Sequence, residues 1–153
     1  MKIRLITISR EEDEHANALT AEYIKRLNHY TSIGLITLKP RKTTSAEEQR
    51  KNDAEQVLKK ISPQEQVVIL DERGSEMTSV EFAGFLTKKM NEGVRGLSFV
   101  IGGAYGFDKS IYERSDASIS LSKFTLPHQL AKVIFTEQLY RAFTIIRNEK
   151  YHH

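Results

Sequence analysis

Five short apolar runs, four to six residues each, recur along the chain with longer polar-rich stretches between them: Ile3–Ile8, Ile33–Leu38, Val67–Leu70, Leu97–Ile101 and Ser118–Leu121. Runs of that length bounded by turn signals predict strands. Between the first two, Ala16, Leu19, Tyr23, Leu27 and Tyr30 fall at spacings of three and four, which puts them on one helical face expected to pack on the sheet. A second helix is predicted over Ser45–Ile61, with Ala54, Val57, Leu58 and Ile61 inward and Pro63 ending it. A third starts at a Thr78 or Ser79 cap, runs to about Asn91 and stops at Gly93. Strands alternating with helices predict an α/β fold, a largely parallel sheet with helices on both faces. Leu38–Lys51 reads as a mobile, basic connection.

The last helix differs from the others. Thr125 is the expected cap, Pro127 suits the first turn, and the helical pattern continues to about Ile146. One apolar stripe contains Ala131, Phe135, Leu139, Ala142 or Phe143, and Ile146; a second contains Leu126, Leu130, Val133 or Ile134. A helix apolar on two sides must bury both, and in a sheet domain this small the second side predicts a homodimer.

The chain of 153 residues is 39% hydrophobic, enough for the core of one domain spanning 1–153, and it carries no internal repeat or evident linker. No apolar run approaches bilayer length, and the opening MKIRLITIS reads as a first strand rather than a signal peptide. The expectation is a cytoplasmic protein whose mature chain begins at Met1. The absence of cysteine excludes disulfides, thiol nucleophiles and thiolate metal sites. A formal net charge of +3 tolerates a polyanion without demanding one.

In open parallel sheets ligands bind beyond the carboxyl ends of strands, and three loops qualify: Asp71–Glu76, Gly102–Phe107 and Ser122–Pro127. Glycines at 102, 103 and 106 would let main chain approach a ligand closely, although turn geometry alone also explains them. The pattern is neither a dinucleotide fingerprint nor a P-loop. The five histidines show no metal-ligand spacing. His128 fits helix-start packing as well as proton transfer, and no Ser-His-Asp arrangement is legible around Ser122 or Thr125. The tail RNEKYHH, from Arg147 to His153, has both a frayed terminus's composition and the cations and rings that single-stranded RNA recognition uses.

Three stretches taken together are more specific: IGG at Ile101–Gly103, LSKFTLPHQLAKVIFTEQLYRAF at Leu121–Phe143, and the terminal YHH. Over its whole length the chain resembles the RlmH-type pseudouridine methyltransferases of large-subunit ribosomal RNA, a minimal group in the SPOUT class. The resemblance implies a C-terminal trefoil knot, an exception to the rule against threading, and a homodimer. It implies S-adenosylmethionine bound in the knot against Leu70, Gly102, Gly103, Leu121, Ser122, Lys123, Phe124, Thr125 and Leu126.

The acceptor it implies is N3 of a pseudouridine in 23S ribosomal RNA of the assembled ribosome. Substrate-side catalytic roles then fall to His128, Arg141, Tyr151 and His152, with Arg141 holding RNA or the cofactor carboxylate and the tail covering the target base. A helix-surface ion pair for Arg141 and dimer packing for Tyr140 are the plainer alternatives. A ribosome-binding or assembly factor without activity, or a nucleotide-binding module, would keep the same fold.

Overall fold

All five apolar runs form strands, and every pairing between them is parallel. The computed structural model describes residues 1–10 and 13–152, so His153 of the tail lies outside the described residues. In chain order the elements are β1 (Lys2–Ile8), α1 (Glu14–Leu27), β2 (Ser32–Leu38), α2 (Ala46–Leu58), β3 (Gln66–Glu76), α3 (Ser79–Asn91), β4 (Gly96–Ile101), α4 (Lys109–Arg114), β5 (Ala117–Ser120) and α5 (His128–Ile146). The sheet order is β2-β1-β4-β3-β5.

Side-chain alternation divides the interior into two layers. Ile3 and Leu5 of β1 and Leu97, Phe99 and Ile101 of β4 face α1, α3 and α5, meeting Leu27, Phe82, Leu86, Phe135 and Leu139. Ile6, Ile8, Val67, Ile69 and Val100 face α2 and α4, meeting Ala54, Val57 and Ile111. Every residue of β4 is buried, as a central parallel strand requires. Among the described residues, no helix is long and apolar enough to cross a membrane.

Several expectations need correction. Leu19 is 47% exposed; the inward face of α1 is Ala16, Thr20 and Leu27, with Ile24 packed beside them. Tyr30 lies past the end of α1. The connection after β2 is shorter than expected because Ser45 caps α2 by accepting from the Glu48 N–H at 3.1 Å, so residues 46–51 are helix. Helix α4, capped by Asp108, was not anticipated: six residues are too few for periodicity to register. The third helix follows expectation, with a Thr78–Glu81 capping box and Gly93 at φ +72°.

Two differences bear on the site. Asp71–Glu76 is not a loop, because β3 runs on through it. Leu70 pairs with Ile119, the chain detours through residues 71–74, and Ser75 then pairs with Ile119 again. Thr125 does not cap α5; Pro127 occupies that position with no side-chain hydrogen bond, and the Thr125 hydroxyl instead donates to Glu72 at 3.1 Å.

Candidate active site

The carboxyl ends of β3, β4 and β5 open into one cavity of about 440 Å³. Its walls come from the β3 detour, from the Gly102–Phe107 loop and from the segment between β5 and α5. Of the nine residues expected to hold a cofactor, Leu70, Gly102, Gly103, Leu121, Ser122, Phe124, Thr125 and Leu126 line it. Lys123 does not, because its ammonium turns away to Glu76 at 3.2 Å.

The glycines serve the wall itself. A β-carbon at Gly102 would stand 3.1 Å from the Phe107 ring, and one at Gly103 would stand 2.6 Å from Asp53 Oδ2. Side chains of this protein crowd both positions, the Phe107 ring at Gly102 and the Asp53 carboxylate at Gly103, so residues without a β-carbon fit there. Gly103 accepts from the Gly106 N–H at 3.0 Å, and Gly106 at φ +75° completes the tight turn. Asp53 is 5% exposed and accepts from Gln49 Nε2 at 2.7 Å. Burial raises its pKa, against the lowering effect of the Gln49 hydrogen bond and the Arg10 charge.

The rim is built from the β3 detour. Asp71, its side chain only 8% exposed, accepts from the Arg73 backbone N–H at 2.9 Å, from Arg73 Nη2 at 3.0 Å and from the Tyr112 hydroxyl. Burial pushes the Asp71 pKa up, but the hydrogen bonds from Arg73 and Tyr112 outweigh it and hold the group at about 2. Burial and the Asp71 hydrogen bond push Tyr112 up to about 12. Sequence reasoning marked this stretch as a candidate loop without singling out Asp71, Arg73, Tyr112 or the buried Asp53. A carboxylate directly after an apolar strand was the available signal for Asp71; nothing local marked Asp53.

The four residues expected to act on substrate separate into two places. His128 lines the cavity. Arg141, Tyr151 and His152 do not, and thirteen residues of helix put Arg141 about 20 Å along α5 from His128. Arg141 donates to Glu137 from Nε at 3.0 Å and Nη2 at 2.6 Å, so the ion pair weighed as its plainer reading is present. Its guanidinium lies 4.8 Å from the Tyr151 ring centre. The Tyr151 hydroxyl donates to Glu137 at 3.1 Å, and burial followed by the Tyr23 and Glu137 interactions raises its pKa. The tail folds back to reach this cluster: Asn148 takes φ +54°, Glu149 accepts from the Tyr30 hydroxyl at 2.5 Å, and Tyr151 packs edge-on against Tyr140 at 4.7 Å. His152 is half-buried.

The profile of the family described as "Predicted SPOUT methyltransferase" matches residues 1–152. The chain belongs to the SPOUT methyltransferases. Among relatives, a protein of Flavobacterium johnsoniae is 43% identical over 156 residues, covering 100% of this chain and 99% of that one. One of Flavobacterium psychrophilum is 42% identical with the same coverage. Both bear the name ribosomal RNA large subunit methyltransferase H. The SpoU methyltransferase AviRb from Streptomyces viridochromogenes, solved in complex with AdoMet, is 14% identical with a TM-score of 0.47, over 97% of this chain and 59% of that one. As a SPOUT methyltransferase the chain is an enzyme of group transfer, and the cavity at the three strand ends is where its fold gathers main chain, rings and charge.

Proposed function

We propose that this SPOUT methyltransferase transfers a methyl group from S-adenosylmethionine to N3 of a pseudouridine in large-subunit 23S ribosomal RNA, acting on the assembled ribosome. The observation that carries this reading is the convergence of Leu70, Gly102, Gly103 and the 121–126 segment on one cavity, in a chain that matches methyltransferases of large-subunit ribosomal RNA end to end. The cavity suits the cofactor chemically. Leu70, Ile101, Leu121, Leu126 and the rings of Tyr105 and Phe107 offer an apolar slot for a flat heterocycle, while peptide groups at the glycines and charged rim residues suit the polar end.

Bound S-adenosylmethionine supplies an already activated methyl group, so the protein's work is alignment and proton removal. The glycine turn and the 121–126 segment hold the donor side. The acceptor imide must lose its proton, and we assign His128, on the cavity wall, to the target base. Arg141, Tyr151 and His152 are assigned to RNA contact, with Arg141 held by Glu137.

One chain cannot bring His128 and Arg141 to the same base across that length of α5, which supports a homodimer in which the tail cluster of one copy serves the cavity of the other. Leu130, 51% exposed, and the partly buried Val133 and Ile134 give α5 the second apolar face such a dimer uses. The C-terminal knot belongs to the same reading. The Thr125–Glu72 hydrogen bond and the Lys123–Glu76 ion pair hold the 121–126 segment against the end of β3, an arrangement that supports this reading.

Labelled methyl transfer tests the proposal, using assembled ribosomes that lack the modification and isolated large subunits in parallel. Label in pseudouridine of assembled ribosomes is expected. No transfer to either substrate by folded protein with cofactor bound overturns it in favour of a ribosome-binding factor.

A further inference from the structure

His128 forms a wall of two cavities, not one. The second, about 70 Å³, lies where the carboxyl ends of β1 and β2 meet α1 and the first turns of α5. With His128 it is lined by Thr7, Ser9, Thr37, Asn17, Gln129 and Lys132, residues that bring hydroxyls, amides and an ammonium to walls that are also in part apolar. Lys132 is only 5% exposed and Thr7 4%, so the ionisable chain is set inside the protein rather than on its surface. The group is tied in place: Lys132 Nζ donates to Asn17 Oδ1 at 2.6 Å, Gln129 Nε2 to Ser9 Oγ at 3.1 Å, and the Thr7 and Thr37 hydroxyls stand 3.4 Å apart. α5 begins beside it with no side-chain cap, so the positive end of a nineteen-residue helix is directed to this region. Thr37 is exposed and forms the rim.

We infer that this second cavity binds a phosphate group, and that in the working enzyme it is the RNA backbone phosphate beside the methylated nucleotide. The inference rests on the reading of the larger cavity as the methyl-transfer site. A nucleotide whose base enters that cavity must carry its phosphate alongside, and His128 is the shared wall. Hydroxyls, amides and an ammonium suit a tetrahedral oxyanion, which accepts from several donors at once. They suit a base edge poorly, since a base needs an apolar slot. Fixing the phosphate here would orient the nucleotide without reading its sequence.

Two arms test the site and separate the sources of phosphate. In the first, the Tm of the full chain is followed against inorganic phosphate with chloride at matched ionic strength, for wild type, Thr37→Glu and Thr37→Lys. Thr37 is exposed, so changes there leave the fold intact, unlike changes at the buried Lys132. A phosphate-specific rise in Tm that Thr37→Glu abolishes and Thr37→Lys enlarges is expected. In the second, methyl transfer to ribosomes is measured. Thr37→Glu should raise KM for ribosomes about tenfold, with kcat and cofactor affinity unchanged.

The first result without the second supports a phosphate site filled by the free anion and overturns the RNA assignment. The first result in a protein that transfers no methyl group at all leaves the phosphate site standing and removes the methyltransferase reading instead. No phosphate-specific rise together with an unchanged KM overturns the inference.

Discussion

A β-carbon placed on Gly74 would stand 2.7 Å from the main-chain nitrogen and carbonyl carbon of Ile119. The β3 detour therefore returns to the sheet with its backbone pressed onto β5, where only hydrogen fits. Gly74→Ala should destabilise the protein by about 2 kcal/mol, because main chain has to move. Gly84 is the control: it lies inside α3 with open space at its β-position, and Gly84→Ala should stabilise by about 0.5–1 kcal/mol. Thermal unfolding of the two variants checks both signs.

Gly103 and Asp53 give a coupled pair. Gly103→Ala drives a methyl group into a carboxylate that Gln49 already holds, and the turn ahead of it must shift. Cofactor affinity should fall about tenfold. Asp53→Ala removes the obstacle, so the double variant should bind more tightly than Gly103→Ala alone; calorimetric titration of S-adenosylmethionine into the four proteins measures the coupling.

The rim predicts an acid-labile contribution. The Asp71 pKa is held at about 2, below the unfolded value near 4, so the stability it lends is fully present above pH 4 and is lost as pH falls towards 2. Tyr112 behaves oppositely: with its pKa raised to about 12, it favours the fold below pH 10 and withdraws that support as pH rises to 12. Asp71→Asn should flatten the acid limb of a Tm–pH profile and cost about 1 kcal/mol at neutral pH, since the largely exposed Arg73 is screened by solvent.

If His128 of one copy and Arg141 of the other serve one base, His128→Ala and Arg141→Ala proteins should each be inactive, yet recover activity when unfolded together and refolded. Random pairing leaves about a quarter of the sites intact. Methyl transfer by the mixture reads this directly, and a mixture as inactive as its components would place both residues at the same site of a single chain.

The sheet was legible because its strands are covered on two faces and so appear as unbroken apolar runs, as in LSFVI at Leu97–Ile101. Helix α3 was legible because its cap and stop are chemical signals, Thr78 or Ser79 at the start and Gly93 at the end, and the structure adds Glu81 to the cap. Phase on α1 was harder, since Leu19 is apolar yet exposed while the fully buried Thr20 is polar. Thr125 illustrates a different limit: it is a good cap by type, but Glu72, 53 positions away, takes its hydroxyl. The cavity residues were reached through family likeness and strand-end position together. Lys123 was grouped with them by adjacency in sequence, yet its side chain pairs with Glu76 and does not line the cavity. Asp53 was missed because its importance is a contact with Gly103 from another helix.

The β3 detour frees one part of the enzyme to change without the rest. Because Leu70 and Ser75 both face Ile119, the ladder closes as though the intervening residues were absent, and the pairing of the strands does not depend on their identity. Glu72 and Arg73 can therefore be exchanged by evolution, or by an engineer, at little cost to the sheet, while Gly74 is held by β5 and Asp71 by Tyr112. Substrate preference at the cavity mouth and the packing of the sheet become separable traits in a chain of 153 residues, which has little material to spare for loops of its own.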